Sequence, residues 1–401
     1  MRIVLSSLVI AAACGGAVGA CSGGDGNPGF GGDDGGGGSS GSGGSSGGSG
    51  GSSGGSGSSS GGSASGSSSG GHGSSSGGSS GSSSGGGSCV TNTGPISGSV
   101  GASGGSISRL VFGVVGDTRP PNEDDVSGYP TSVITKIYQD IEALSPKPPL
   151  VVGTGDYQFS STSSNSQATQ QIDMYMQARG AYTGAFFPAM GNHECGVASG
   201  CSTSDNCNCV AGQGGTNTAN LQAFLSGMMA PISQSKPYYS INVNAMDNSW
   251  TAKFVVTAAN AWDSTQQSWL QTTLAQKTTY TFVVRHEPSD SSTPPPGVAG
   301  IDALLTQNPY TLLLTGHNHN YGHWTSYLGT PACGSNCPPA SREVVIGNGG
   351  APLSSTKYDY GYAVFAQRCD GAIVADEYDY MTGATDSYFH FVITPDGTLT
   401  K

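Results

Sequence analysis

Two histidines one residue apart, His317 and His319, follow the apolar run Leu312-Leu313-Leu314-Thr315 and a glycine, Gly316. The run reads as a buried strand and the glycine as its stop. At a strand end, that spacing turns both imidazoles into one crevice beyond the sheet edge, where open α/β sheets place their ligands. Two neutral imidazoles close together are the start of a metal site, and the remaining ligands must come from elsewhere in the chain.

Four other apolar runs end the same way. Residues 109–115 lead to Gly116-Asp117, and 150–153 lead to Gly155-Asp156. Residues 185–190 lead to Gly191-Asn192-His193-Glu194, and 280–284 lead to Arg285-His286-Glu287-Pro288. Each has an ordinary structural reading on its own, since aspartate caps helices and fills turns and a loop histidine is commonly hydrogen-bonded. Five strand ends that each carry a metal donor are poorly explained as independent accidents. The chemistry that wants this set is hydrolytic. Two cations about 3.5–4 Å apart clamp a phosphoryl oxygen and generate hydroxide at neutral pH. A bridging carboxylate holds both cations, imidazoles and an amide oxygen complete the shells, and a further histidine protonates the leaving group.

The elements between these clusters alternate. Helices are predicted over 131–144, 167–179, 221–229, 264–276 and 298–305, and further strands over 238–243 and 253–258. After His323 the pattern turns to short strands at 343–346, 363–366, 372–378 and 387–393. Mixed elements followed by a strand-rich tail predict a four-layer αββα sandwich, two mixed sheets flanked by helices.

Composition divides the chain. Residues 22–88 are almost wholly Gly and Ser, which leaves nothing to bury against the entropy of ordering and predicts a flexible tether. Its typical reach is roughly 45 Å. Ahead of it, Arg2 and the apolar 3–13 lead through small residues to Val18-Gly19-Ala20-Cys21, which resembles a bacterial lipoprotein signal. The expected organisation is a signal over 1–20, a tether over 21–88 anchored by lipid on Cys21, and one folded domain over 89–401. Cys14 is a competing anchor site, and an ordinary cleaved secretory signal is the alternative. Export fits the cysteines. Apart from Cys14 and Cys21, eight of the ten remain, an even number in an oxidising compartment. Cys333 and Cys337 close a small loop, and the Gly/Ser/Asn-rich cluster from Cys195 to Cys209 favours disulfides over a zinc knot, with the pairing left open. A net charge of −12 with only 14 Lys and Arg leaves no basic footprint for nucleic acid. Membrane contact is expected only through the anchor.

The order Gly-Asp, Gly-Asp, Gly-Asn-His-Glu, Val-x-x-His and Gly-His-x-His, over roughly 110–319, resembles the calcineurin-like metallophosphoesterase superfamily. The lack of an Asp-x-His first motif makes it similar to the purple acid phosphatase branch. The resemblance implies one or two metal ions (Fe, Mn or Zn), with Asp156 bridging. It implies Asp117 and His319 on the first metal, and Asn192, His286 and His317 on the second. It further implies His193 as the proton donor or phosphate-positioning group, oriented by Glu194. The activity implied is hydrolysis of a phosphomonoester or phosphodiester by a metal-bound hydroxide, with a phosphorylated small molecule as substrate.

Two departures stand out. The family histidine two residues after the first aspartate is replaced here by Asp117-Thr118-Arg119, and the purple acid phosphatase tyrosine falls on Phe159. Tyr157 is near in sequence, but on an extended segment it faces the other way. The first metal is therefore expected to have only Asp117, Asp156, His319 and water. Arg119 either binds a substrate phosphate bidentately or pairs with Asp124 or Asp125. The alternative to an enzyme is an exported binding protein that keeps this fold with an incomplete metal site.

Overall fold

The computed structural model describes residues 94–161, 166–195, 219–291, 294–323, 342–387, 389–394 and 398–400. The signal, the tether, Cys21 and the Cys333–Cys337 loop lie outside the described residues, as does the cysteine cluster beyond Cys195.

Two sheets form the core. In the first, β3 (Val111–Val115), β4 (Leu150–Gly153) and β5 (Ala185–Pro188) run parallel at one edge. On their other side lie β12 (Gly361–Gln367) and β13 (Ile373–Asp379), then β14 (Phe391–Ile393) and β15 (Leu399–Thr400), all antiparallel. The second sheet centres on β7 (Thr251–Val256), β8 (Tyr280–Val284) and β9 (Leu312–Thr315), again parallel. It is extended on one side by β6 (Tyr239–Ala245) and the hairpin β1–β2 (Gly98–Gly101, Gly104–Ile107). On the other side lie β11 (Glu343–Ile346) and β10 (Tyr321–His323).

Alternation along the strands builds the layers. Phe254, Phe282, Leu312 and Leu314 face the other sheet, while Val255, Val283 and Leu313 face outward onto Leu270, Leu274, Ile301 and Leu304. Those last four belong to α3 (Ser264–Ala275) and α4 (Pro296–Leu305), whose apolar faces therefore cover the second sheet. On the first sheet, Ile141 of α1 (Thr131–Ala143) reaches Gly113 of β3, and α1 shares a Tyr138–Tyr175 hydroxyl bond with α2 (Ala168–Arg179). Phe112 marks where the two sheets meet. Its ring stacks on Phe365 at 4.7 Å and meets Phe282 and Phe254 edge-on at 4.8 and 4.9 Å. Removing such a ring leaves a cavity at the centre of both sheets. Phe112→Ala is therefore expected to cost about 3–5 kcal/mol of unfolding free energy, read from urea denaturation.

The four-layer expectation holds, with two corrections. The hairpin β1–β2 was hidden by its composition, Gly-Ser-Val-Gly and Gly-Gly-Ser-Ile, which has almost no apolar alternation. It exists because β2 finds a parallel partner in β6, which supplies the pairing its own side chains do not specify. The strand predicted from residue 387 begins only at Phe391, because the backbone first turns, with the His390 amide donating to the Asp386 carbonyl.

Candidate metal centre

All five polar clusters sit at the carboxyl ends of β3, β4, β5, β8 and β9, the parallel strands of both sheets. Sandwich packing brings the two sets of strand ends together. Backbone bonds then tie each turn to its neighbour. Asp117 N donates to Gly155 O, Thr118 N to Asp156 O, Gly316 N to His286 O, and Ala351 N to Asp117 O.

Asp117, Asp156, His317 and His319 all have left-handed backbones, with φ of 56°, 58°, 71° and 49°. That region costs an L-residue roughly 1–2 kcal/mol, though Asp and His tolerate it better than most. The sharp turn sends each side chain back into the crevice. Two glycines make room for the carboxylates: a Cβ on Gly316 would strike Asp117 Oδ2, and one on Gly191 would strike Asp156 Oδ1.

Two donor sets result, and they share Asp156. In the first group, Asp117, Asp156 and His319 place ligand atoms within 4.8 Å of one another, and Asp156, His286 and His317 do the same in the second. Asn192 joins the second set, its Oδ1 lying 3.1 Å from both His286 Nε2 and His317 Nδ1. Those two nitrogens are themselves 3.2 Å apart. Such an arrangement of lone pairs repels itself unless a proton or a cation lies among them, and a borderline cation suits its N and O donors. Two histidines are pre-set for the task. His286 and His319 each donate Nδ1–H to a backbone carbonyl, Thr154 O and Pro352 O, both at 2.8 Å, which leaves the Nε2 lone pair as the metal-ligating one. The residues present therefore fit a pair of metal ions.

Electrostatics marks the same site: burial lowers His286, but Asp156 and Asp117 outweigh it and hold the imidazole well above its ordinary range, a proton standing where a cation would. Burial opposes charge on Asp156, yet His286 and His193 outweigh it and hold the carboxyl well below its ordinary range. Burial raises Asp117 instead. Burial also pushes down His317, to about 3, with His286 adding to the effect, and His319, to about 4, with Arg119 adding. Both imidazoles are thus neutral, the ligating form.

The remaining predicted residues surround the pair. His193 is 2% exposed, and its Nε2 has no hydrogen-bond partner among the described residues while lying 3.7 Å from Asp156 Oδ2. Phe159 packs edge-on against the His193 ring at 4.6 Å and lies beneath the Arg119 guanidinium at 4.8 Å. Arg119 Nε is 3.9 Å from Asp156 Oδ2, so its partner is the shared carboxylate rather than Asp124 or Asp125. Asp124 accepts instead from Ser161 and Gln167 amides, and Asp125 from Ser127 and Gly128. Tyr157 points the other way, fully buried with its ring 4.7 Å from that of Tyr175.

Glu194 is corrected. Its carboxylate does not serve His193 but accepts three backbone amides: Asp156 N at 3.0 Å, Tyr157 N at 2.8 Å and Gly191 N at 2.7 Å. It fixes the two turns that carry Asp156 and Asn192. Glu194→Gln keeps the shape but places an N–H donor against an amide. The expected cost is about 1–3 kcal/mol, measured by chemical denaturation of metal-free protein, and an unchanged midpoint would remove this role. Sequence reasoning also missed Asn220, whose Nδ2 holds the carbonyls of Ser160 and His193 at 2.7 and 3.1 Å. Nothing in its local sequence signals that, because the contacts span long separations.

Two donor sets sharing a carboxylate, at the strand ends of a two-sheet sandwich, define a metallophosphoesterase-type centre. The family profile of the calcineurin-like phosphoesterases matches residues 110–321, and the chain belongs to that family. Among solved structures it is similar to the purple acid phosphatase PPD1 of yellow lupin (Lupinus luteus), with 17% identity and a TM-score of 0.50 over 72% of this chain. The match spans 54% of the lupin chain, about half its length. It is also similar to a dimetal phosphatase from Danio rerio, with 12% identity and a TM-score of 0.44, covering 70% of this chain and 99% of that one. No curated protein matches the chain. Family and donor sets together support metal-dependent phosphoesterase chemistry in general.

Proposed function

We propose that this chain hydrolyses phosphomonoesters or phosphodiesters at the Asp117–His319 centre, as an exported protein held to the bacterial cell envelope by lipid on Cys21. The observation that carries the catalytic reading is the pair of donor sets joined at Asp156. Asp117, Asp156 and His319 would hold the first ion, and Asp156, Asn192, His286 and His317 the second. Bound there, the ions supply Lewis acidity toward a phosphoryl oxygen and lower the pKa of water.

The chain's own groups do the rest. Arg119, braced on the Phe159 ring beside Asp156, presents a planar guanidinium to a phosphate oxygen. His193 Nε2 has no hydrogen-bond partner among the described residues and lies 3.7 Å from Asp156 Oδ2, where a proton held on that atom would pass to the leaving alkoxide. The buried walls exclude bulk water from both. Export is supported by the eight cysteines that follow the signal, an even number suited to an oxidising compartment.

The test is turnover of p-nitrophenyl phosphate and its bis ester by the full chain with Mn, Zn or Fe. Activity that survives both Asp156→Asn and His317→Ala rules the reading out. The second reading, a binding protein with one ion or none, is favoured by the three-donor first set. Metal content near zero after metal-replete growth would select it.

A further inference from the structure

A cavity lies beside the metal centre, walled by the same two chain segments that hold His319. Ser354 N donates to His319 O at 3.0 Å, and His319 Nδ1 donates to Pro352 O. One or two residues further along each segment, Tyr321 and Leu353 line a cavity of about 610 Å³, whose other wall is formed by residues of β13 and the turn after it.

Its charge has one sign. Asp359, Glu377, Asp379 and Asp386 line it, and no Lys, Arg or His does so among the described residues. Its remaining surface is aromatic and soft. Tyr360 and Tyr380 meet edge to face with ring centres 5.8 Å apart. Met381 is 68% exposed, one of two large hydrophobic side chains exposed among the described residues.

Glu377 is the independent sign of a missing partner. It is 1% exposed. One oxygen accepts from Asn348 Nδ2 at 2.8 Å, and the other has no hydrogen bond among the described residues. Burial first, then Asp386, Asp379 and Asp359, push its ionisation up to about 8 against the Asn348 bond. Buried among like charges it holds its proton, and a cation entering the cavity it lines would take that proton's place.

The surroundings select the kind of cation. A calcium ion wants six to eight oxygens in close array. Here Asp379 Oδ1 already accepts from Thr382 N and Oγ1, and Asp386 Oδ2 accepts from the Tyr321 hydroxyl. Phenol faces and a methionine instead suit a weakly hydrated organic cation, held by ring quadrupoles with a carboxylate as counter-charge. We propose that this cavity binds an organic ammonium group, with Glu377 and Asp359 as counter-charges and Tyr321, Tyr360 and Tyr380 as its walls.

The experiment is calorimetric titration of the full chain with choline chloride and tetramethylammonium chloride at constant ionic strength, with sodium chloride as control. Saturable binding is expected, weakened about tenfold by Glu377→Gln and by Tyr360→Leu. Glu377→Gln removes the ionisable group without changing shape, and Tyr380→Leu, at a half-buried position, gives a further variant. The proposal is overturned if neither ammonium ion saturates the wild type, if all three variants bind as it does, or if only calcium chloride saturates.

A second arm identifies the source of the ammonium and rests on the phosphoesterase reading. A KM advantage for choline phosphate over 3,3-dimethylbutyl phosphate, erased by Glu377→Gln, marks a substrate's leaving group. Equal KM values with choline binding intact mark a separate ligand, and both outcomes support the site. The calorimetric arm needs no turnover, so the two readings fail separately.

Discussion

Asp156→Asn is expected to lower metal content from two equivalents to below one and to cut turnover by about 10³-fold or more. Loss of one electrostatic contact to a transition state already costs about 10²–10³-fold, and this carboxylate belongs to both donor sets. The amide removes a negative charge and one good donor from each set at once. The change is well suited to a test because the fold should survive it. Asp156 sits at φ 58°, a conformation that asparagine tolerates, and its turn is held by Glu194 through main-chain amides. The measurements are elemental analysis after dialysis, turnover of p-nitrophenyl phosphate, and the urea midpoint of the metal-free protein. A variant with wild-type metal content and rate would take Asp156 out of the bridging position.

The second large effect is an asymmetry between the two ions. Asn192, His286 and His317 surround one position with the shared Asp156, whereas Asp117 and His319 alone join it at the other. Metal titration is therefore expected to resolve a tight and a weak site. His317→Ala should abolish the tight one and nearly all activity, while His319→Ala should remove only the weak one.

Phe159→Tyr tests the cause from the opposite direction. Phe159 packs against His193 and Arg119, so its ring already faces the crevice and lacks only a donor. The added hydroxyl is expected to tighten the weak site at least about tenfold, the usual scale for one supporting group around a metal. It should also give the iron-loaded variant a visible absorption band that the wild type lacks. Equal affinities at the two sites in the wild type would contradict this account.

How much of this was legible in the sequence follows from the range of each interaction. His317 and His319, Asn192 and His193, and the two Gly-Asp pairs were readable because a strand end and its first turn are local. Apolar residues, a glycine and a donor follow within a few positions. The helices at 131–143 and 264–275 were readable for the same reason. The role of Glu194 was not, because its three amide partners come from two different turns, Gly191 beside it and Asp156–Tyr157 nearly forty residues away. Arg119 has several acidic neighbours in sequence, and Asp124 and Asp125 were the partners that proximity offered. The packing of Phe159 beneath it turned the side chain to Asp156 instead.

The sequence by itself determined the donor types and their order along the chain, and its resemblance to the family implied a shortage at one ion, where a histidine is missing and Phe159 takes the place of a tyrosine. Only the tertiary structure decided that those donors form two sets with one shared carboxylate, because sheet-on-sheet packing alone sets the distance between β3–β5 and β8–β9. It also placed Glu377, Asp359 and the tyrosines around one cavity, a grouping drawn from three separate segments that no local pattern encodes.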